Sequence, residues 1–169
     1  RVVADHVSSL LLYCTASAEE NLEHEGLADK GLLISDPMYD AFLYYGDRLT
    51  GRELSAITGL DGAPVATPER YYYMTCHRQE NTDSDETLLE ILSAMERLDA
   101  PTIYPVHPRN RERARALCAG QSFRNVLLTE PVGYLTSIAL IKGAEKIVTD
   151  SGGLQREAFY AGKQCVTVF

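Results

Sequence analysis

Short apolar, β-prone runs alternate with stretches of helical period along almost the whole chain, the pattern of βα units feeding a parallel sheet. The predicted strands are Leu10–Cys14, Gly31–Ile34, Tyr71–Thr75, Thr102–Val106, Val126–Leu128, Ile147–Thr149 and Gln164–Val168, each short and rich in Val, Ile, Leu or Tyr. Helices fill the gaps, and the class is α/β. Several helix starts carry their own chemistry: Ser17 with Glu20 and Thr50 with Glu53 read as capping boxes, and Asp36-Pro37 as an N-cap followed by a first-turn proline. Leu88, Leu89, Ile91, Leu92 and Met95 trace one apolar face between Asp85 and Leu98, with Asp83 or Ser84 available as the cap. Leu135, Ile138, Ala139 and Leu140 do the same after Tyr134.

Leu60–Glu69 breaks every period with Asp61-Gly62-Ala63-Pro64 and Thr67-Pro68, so a linker and domain boundary are expected there. Residues 1–66 then hold only two strand candidates, too few for a three-layer domain, whereas 67–169 hold the other five. The chain opens at Arg1 without a methionine and stops at Phe169, the last residue of an apolar run, before any helix could cover the final strand. The expectation is a piece of a larger protein, and one that self-associates through uncovered apolar edges.

At 169 residues and 45% apolar the chain can bury a sizeable core, and its net charge of −8 argues against general nucleic-acid binding. No apolar run approaches a membrane span, and no leader opens the chain, so no membrane partner and a cytoplasmic location are expected. The four cysteines, Cys14, Cys76, Cys118 and Cys165, show no zinc or C-x-x-C spacing and are expected to be reduced. Cys76 next to His77 could be a nucleophile beside its base. Neighbouring strand positions face opposite ways, however, so a small buried hydrophobe is the better reading.

Three stretches could carry chemistry, each at the C-terminal end of a predicted strand, where open α/β sheets bind ligands. In Thr149-Asp150-Ser151-Gly152-Gly153-Leu154 the strand meets a glycine turn and then a helix. Free amides and the helix dipole would suit an anion there, Ser151 could add a hydroxyl, and Glu157 could accept from both hydroxyls of a ribose. A tight turn capped by Ser151 fits the same residues. The glycine spacing is neither a P-loop nor a dinucleotide fingerprint. In Cys76-His77-Arg78-Gln79-Glu80-Asn81, His77 and Arg78 could meet a diphosphate. In Tyr104-Pro105-Val106-His107-Pro108-Arg109, His107 sits on a loop stiffened by two prolines. Arg113 and Arg115 read as the solvated face of the helix that follows, and Tyr71-Tyr72-Tyr73 as a buried strand. Together the stretches point to one site for an anionic, diphosphate-bearing ligand, with no metal cage beside it.

Cys-His-Arg-Gln-Glu-Asn at 76–81, Tyr-Pro-Val-His-Pro at 104–108, Glu-Pro-Val-Gly-Tyr-Leu at 130–135 and Thr-Asp-Ser-Gly-Gly-Leu-Gln-Arg-Glu-Ala at 149–158 resemble, in order and spacing, the non-hydrolysing UDP-N-acetylglucosamine 2-epimerases. The resemblance extends to Asp5-His6, to Thr15 with Glu20-Asn21-Leu22, and to Met38-Tyr39-Asp40-Ala41. It implies two Rossmann-like domains of glycosyltransferase-B type: residues 1–66 as the end of a partly present first domain plus linker, and 67–169 as a nearly complete second, UDP-binding domain. The implied chemistry interconverts UDP-GlcNAc and UDP-ManNAc by anti elimination of UDP to 2-acetamidoglucal, then re-addition after C2 is reprotonated from the other face.

Carried over by position, His77 is catalytic and Ser151, Gly152, Gly153, Glu157, Arg78 and Pro131 bind UDP. His107 and Glu80 join His77 in holding a second, allosteric UDP-sugar in some bacterial members. No cofactor or metal is implied. The partners implied are a UDP-amino sugar and further copies of the chain. The family's acid/base carboxylates would lie upstream of Arg1, so the chain alone is expected to be inactive. Ser35, where glycine is usual, and Arg156 depart from the family pattern without removing the site. Met38-Tyr39-Asp40, Glu80-Asn81-Thr82-Asp83 and His107-Pro108-Arg109 lean toward 2-epimerases of UDP-2,3-diacetamido-uronic acids. A sugar-transferring or hydrolysing relative and a non-catalytic UDP-sugar-binding module are the competing readings.

Overall fold

Each predicted strand is present in the computed structural model, which describes residues 1–168; Phe169 lies outside the described residues. Contacts divide the chain into two compact units, residues 1–43 and 44–169.

In the first unit, α1 (Val2–Val7) precedes β1 (Leu11–Tyr13), α2 (Ala16–His24) and β2 (Gly31–Leu33), with β1 and β2 paired in parallel, Leu11 opposite Gly31. Val2, Val3 and Val7 lie on this short helix, ahead of the first predicted strand, and all three are exposed. The cap of α2 is Thr15, not Ser17: Thr15 is extended, and its hydroxyl accepts from the amide of Ala18 at 3.2 Å. The helix therefore starts before Ser17, which has no free end to cap. Asp36 behaves as expected, its carboxylate accepting from the Met38 amide at 3.1 Å at the start of α3 (Pro37–Gly46).

In the second unit the Thr50–Glu53 pair also forms, the Glu53 carboxylate accepting from the Thr50 amide at 2.7 Å and its hydroxyl at 2.9 Å. What it opens is a single 3₁₀ turn, Glu53–Ala56, rather than an α-helix. The expected linker does not hang free. Gly59 bridges Thr129 in antiparallel fashion, the Glu130 amide donates to the Thr58 carbonyl at 2.8 Å, and Ile57 and Leu60 are buried. Pro and Gly end regular structure here without ending packing.

The sheet of this unit comprises β3 (Tyr72–Thr75), β4 (Thr102–Pro105), β5 (Val126–Thr129), β6 (Lys146–Thr149) and β7 (Gln164–Thr167), all parallel, in the order β5-β4-β3-β6-β7. Its helices are α4 (Gln79–Thr82), α5 (Asp85–Glu96), α6 (Arg111–Gln121), α7 (Tyr134–Gly143) and α8 (Gly152–Tyr160). The three tyrosines are buried as expected and show the strand period directly. Tyr71 and Tyr73 reach toward α7, donating to the Leu140 carbonyl and pairing with the Ser137 hydroxyl, each at 3.0 Å. Met74 and Cys76 join the opposite core with Leu88 and Leu92 of α5, Ala114 and Cys118 of α6, and Tyr104 of β4. Covering both faces is what a central parallel strand requires. No helix among the described residues is long and apolar enough to cross a membrane.

The strand order reverses direction between β3 and β6. Chain excursions leave to opposite sides of that point, opening a crevice at the carboxyl ends of the two strands. The loop with His77 follows β3 and the glycine turn follows β6, so strand order alone brings these two sequence-distant motifs to one place.

Candidate functional site

Register sets the geometry. Thr75 of β3 pairs with Thr149 of β6, and their hydroxyls lie 2.6 Å apart. Two residues further along each strand stand His77 and Ser151. The Thr149 hydroxyl also accepts from the Ser151 amide at 2.9 Å, tying the start of the glycine turn to the strand end. Ser151 caps α8, accepting from the Leu154 amide at 3.4 Å. An acceptor role leaves its own hydroxyl proton free to donate outward, so the turn-cap and anion-donor readings of Ser151 coexist. A Cβ on Gly152 would meet nothing within 4 Å: the helix opens onto clear space.

Asp150 sits between the two loops with no exposed surface. Its Oδ2 accepts from the amides of His77 at 2.8 Å and Arg78 at 2.7 Å, and from Asn81 Nδ2 at 3.2 Å. Burial pushes the Asp150 pKa up, but donation from Arg78, His77 and Asn81 outweighs it and holds the carboxyl below the usual aspartate value. The His77 ring places Nδ1 3.1 Å from Asp150 Oδ1 and remains about half exposed. From below, the Tyr104 hydroxyl donates to the Cys76 carbonyl at 2.9 Å, and Arg109 donates to the His77 carbonyl at 3.1 Å. Cys76 itself is buried, and burial together with Asp150 pushes its thiol up to about 12, which leaves it inert as a nucleophile.

A cavity of about 320 Å³ opens beside these groups, with His77, His107, Pro131 and Val132 in its wall. That volume is at the lower end of the ~300–1,000 Å³ of small-molecule clefts. The structure thus brings His77, His107 and Pro131 to one cavity. Ser151 and Gly152 are not part of that wall; they follow Asp150, whose carboxylate holds the His77 loop. Arg78 Nη1 lies 3.7 Å from Glu80 Oε1, both side chains exposed and neither in the cavity wall. Glu157 is buried on α8. Burial raises its pKa, opposed by a hydrogen bond from Tyr134.

The arginines after His107 divide differently from the expectation. Arg111 makes a two-pronged pair with Glu130 and donates to the Leu60 carbonyl at 3.1 Å, fixing the turn that leads to Pro131. Arg113, expected on the solvated face, is half-buried: it donates to the Thr82 carbonyl and pairs with Asp85 at 2.7 Å. The carbonyl at the end of α4 needs a donor, and Arg113 is one turn from the loop it serves. Arg115 is exposed, as expected.

Sequence reasoning gave no role to Asp150 or Asn81, and it placed Tyr134 only within the Glu130–Leu135 turn that the family resemblance sets beside the uracil. For Asp150 a signal existed: a carboxylate immediately before a supposed anion-binding turn must find donors of its own, or it would repel the ligand. Among the described residues no group of three or more His, Cys, Asp or Glu could hold a metal ion.

An open, parallel α/β sheet with an uncluttered helix start and a histidine loop at its switch point defines a domain of Rossmann-like fold. The chain belongs to the UDP-N-acetylglucosamine 2-epimerase family, whose profile matches residues 1–168. A UDP-N-acetylglucosamine 2-epimerase homolog of Methanococcus maripaludis is 36% identical over 171 residues, covering 99% of this chain and 47% of the relative. The UDP-2,3-diacetamido-2,3-dideoxy-D-glucuronate 2-epimerase of Pseudomonas aeruginosa is 36% identical over 176 residues, covering 99% and 46%. The crystal structure of the Methanocaldococcus jannaschii UDP-GlcNAc 2-epimerase in complex with UDP-GlcNAc and UDP superposes with a TM-score of 0.78 at 31% identity, covering 99% of this chain and 47% of that one. The chain therefore spans about half the length of the curated relatives it matches, and its fold is the glycosyltransferase-B type of these epimerases.

Proposed function

We propose that this chain supplies the UDP-binding and leaving-group half of a 2-epimerase that interconverts UDP-GlcNAc and UDP-ManNAc. In this reading residues 1–66 end the first Rossmann-like domain and its linker, and 67–169 form the second, UDP-binding domain. The observation that carries the reading is the meeting of the His77 loop and the start of α8 on one buried carboxylate, Asp150, at the strand switch point.

The amides of Gly152 and Gly153 and the Ser151 hydroxyl take the diphosphate, with the dipole of α8 favouring its charge. Arg78 reaches the same phosphates from the rim. Glu157 accepts from the ribose hydroxyls, and Pro131 borders the uracil. His77 stands at the anomeric end. As the C1–O bond breaks and C2 loses its proton, the electron pair of that bond leaves with UDP, and a histidine donor steadies the charge gathering on the departing phosphate. The glycal stays bound, C2 is reprotonated from the opposite face, and UDP returns to C1. His107 and Glu80 are assigned to a second UDP-sugar, a role for which His107 in the cavity wall is favourable.

The protein in its natural reading frame, given UDP-GlcNAc in D₂O, is expected to form UDP-ManNAc with deuterium at C2 by NMR. Release of free sugar, transfer to an acceptor, or bound UDP-GlcNAc without exchange would each refute the epimerase assignment. The equal identity to the diacetamido-uronate 2-epimerase supports a second substrate reading, tested by offering both UDP-sugars in the same assay. We read the protein as cytoplasmic, homo-oligomeric and a supplier of precursors for cell-surface polysaccharide. The exposed Leu10, Leu12, Leu32 and Leu33 of the first unit favour self-association, and a monomer by light scattering would remove that part.

Glu157 gives this reading a pH signature. It must be ionised to accept from both ribose hydroxyls, and its raised pKa means it takes up a proton at higher pH than an ordinary glutamate. UDP binding should therefore weaken on acidification, starting above the usual carboxylate range. Glu157→Gln should bind UDP about tenfold more weakly at neutral pH, the loss of one charge-assisted bond at ~1.4 kcal/mol, and lose the pH dependence. Calorimetry with UDP and 2′-deoxy-UDP reads both effects; equal pH slopes in the two proteins would take Glu157 off the ribose.

A further inference from the structure

We infer that Asp150 is a positioning residue for His77: it holds the imidazole in the tautomer with the proton on Nδ1, so that Nε2 is the atom the ring presents to the ligand. This rests on the reading of His77 as a site residue and assigns the group behind it.

Two oxygens of one carboxylate do different jobs here. Oδ2 is fully engaged, accepting from the His77 and Arg78 amides and from Asn81 Nδ2, which fixes the loop backbone. Oδ1 is buried and makes no aligned hydrogen bond, yet Nδ1 of His77 stands 3.1 Å away. A buried carboxylate oxygen without a donor is costly; the Cys76 thiol also faces this carboxylate but is a weak donor, and a ring N–H at 3.1 Å is the stronger group to satisfy it. Such bonds are often loose without ligand and tighten when the site fills. A neutral imidazole carries one proton, so an acceptor facing Nδ1 selects the Nδ1–H form and leaves Nε2 unprotonated, ready to accept; once protonated, the ring donates from Nε2 instead. The same carboxylate thus sets both the place of the loop and the chemical face of its histidine. It also ties that face to the glycine turn, because Asp150 immediately precedes Ser151 in the chain.

Asp150→Asn separates these two jobs. Its carbonyl can still accept from the His77 and Arg78 amides and from Asn81, so the loop keeps its bonds. Its NH₂ then faces Nδ1 as a donor and selects the Nε2–H form, so the ring protonated on both nitrogens, the charged donor that steadies the departing phosphate, is disfavoured. Long-range ¹H–¹⁵N NMR of the natural protein, recorded with the ring neutral and His77 assigned by its absence in His77→Gln, should show the Nδ1–H pattern, switching to Nε2–H in Asp150→Asn. Turnover of UDP-GlcNAc by Asp150→Asn should fall by about 10²–10⁴-fold with KM changed less than about threefold, since the histidine remains in place but misprotonated.

An Nε2–H pattern in the unsubstituted protein overturns the proposal without need of any variant. So does an Asp150→Asn protein whose loss lies in KM alone. The functional reading fails separately, when UDP leaves the His77 resonances unmoved; the tautomer of the unliganded ring decides Asp150 on its own.

Discussion

A Gly152→Val protein is expected to keep its fold and lose UDP. A Cβ built at Gly152 meets no atom within 4 Å, so the larger side chain finds room without displacing its neighbours. The cost to stability is limited to helix propensity at the first turn of α8, where valine is at most ~0.7 kcal/mol worse than alanine and glycine is no better. The unfolding midpoint should move by less than roughly 2–4 °C. In the proposed reading that open space is where a phosphate comes within hydrogen-bond distance of the first amides of the helix, and a branched side chain there holds it away. Two charge-assisted bonds lost at ~1.5 kcal/mol each amount to ~3 kcal/mol, or about a 100-fold rise in Kd by calorimetry. Gly120→Ala on α6, where an added Cβ also meets nothing within 4 Å, is the control and should leave UDP binding unchanged. An unaltered Kd in Gly152→Val would move the diphosphate away from α8.

The largest effect on stability is expected at the other end of the sheet, where α7 closes on β3. A Cβ at Gly143 would collide with the Tyr71 hydroxyl oxygen and stand 3.3 Å from the ring carbon that carries it. Tyr71 cannot yield easily: it is buried, its ring is rigid, and its hydroxyl donates to the Leu140 carbonyl at 3.0 Å. Burial pushes that hydroxyl up to about 12, so it remains a donor throughout the neutral range. Gly143→Ala should therefore cost about 1–3 kcal/mol of overpacking, and about 1–3 more for the carbonyl and hydroxyl it parts. Tyr71→Phe alone should cost about 1 kcal/mol. In the double variant the clashing oxygen is gone, and alanine improves the helix by up to ~1 kcal/mol, so most of the loss should return. Urea unfolding of the four proteins measures the cycle; additive losses would mean that the two residues do not share this contact.

Two substitutions so close in kind, each replacing a glycine at one end of a helix with a larger residue, are expected to fail for opposite reasons. Neither reason can be read from glycine as a letter in the chain. Gly152 stands in a run that advertises a turn, and its role as an opening was legible as far as the strand-turn-helix pattern goes. Gly143 stands in an unremarkable apolar helix, and its necessity comes from a tyrosine far away in the chain.

The helix starts divide along the same line. Asp36 before Pro37 was readable because a cap bonds to amides two or three residues on. The capping box read at Ser17 gives way to Thr15, because the extended backbone at Thr15, not the residue type, sets where the helix begins. Arg113 looked like a solvated helix residue because its partner, the Thr82 carbonyl, belongs to an element that periodicity cannot bring near.

The amino-acid sequence by itself determined that this is a parallel α/β protein, where its strands run, and that histidine and glycine loops leave the carboxyl ends of three of them. Those properties are local: they follow from side-chain period, propensity and the few residues a turn or cap requires. Only the tertiary structure decided the strand order β5-β4-β3-β6-β7, and with it the meeting of the His77 loop and the start of α8 across the switch point. It alone revealed Asp150 as the group both loops share, since a carboxylate that takes its donors from amides 73 and 72 positions away leaves no periodic trace in the chain. Parallel pairing joins residues far apart in sequence, and a buried charge is defined by what surrounds it.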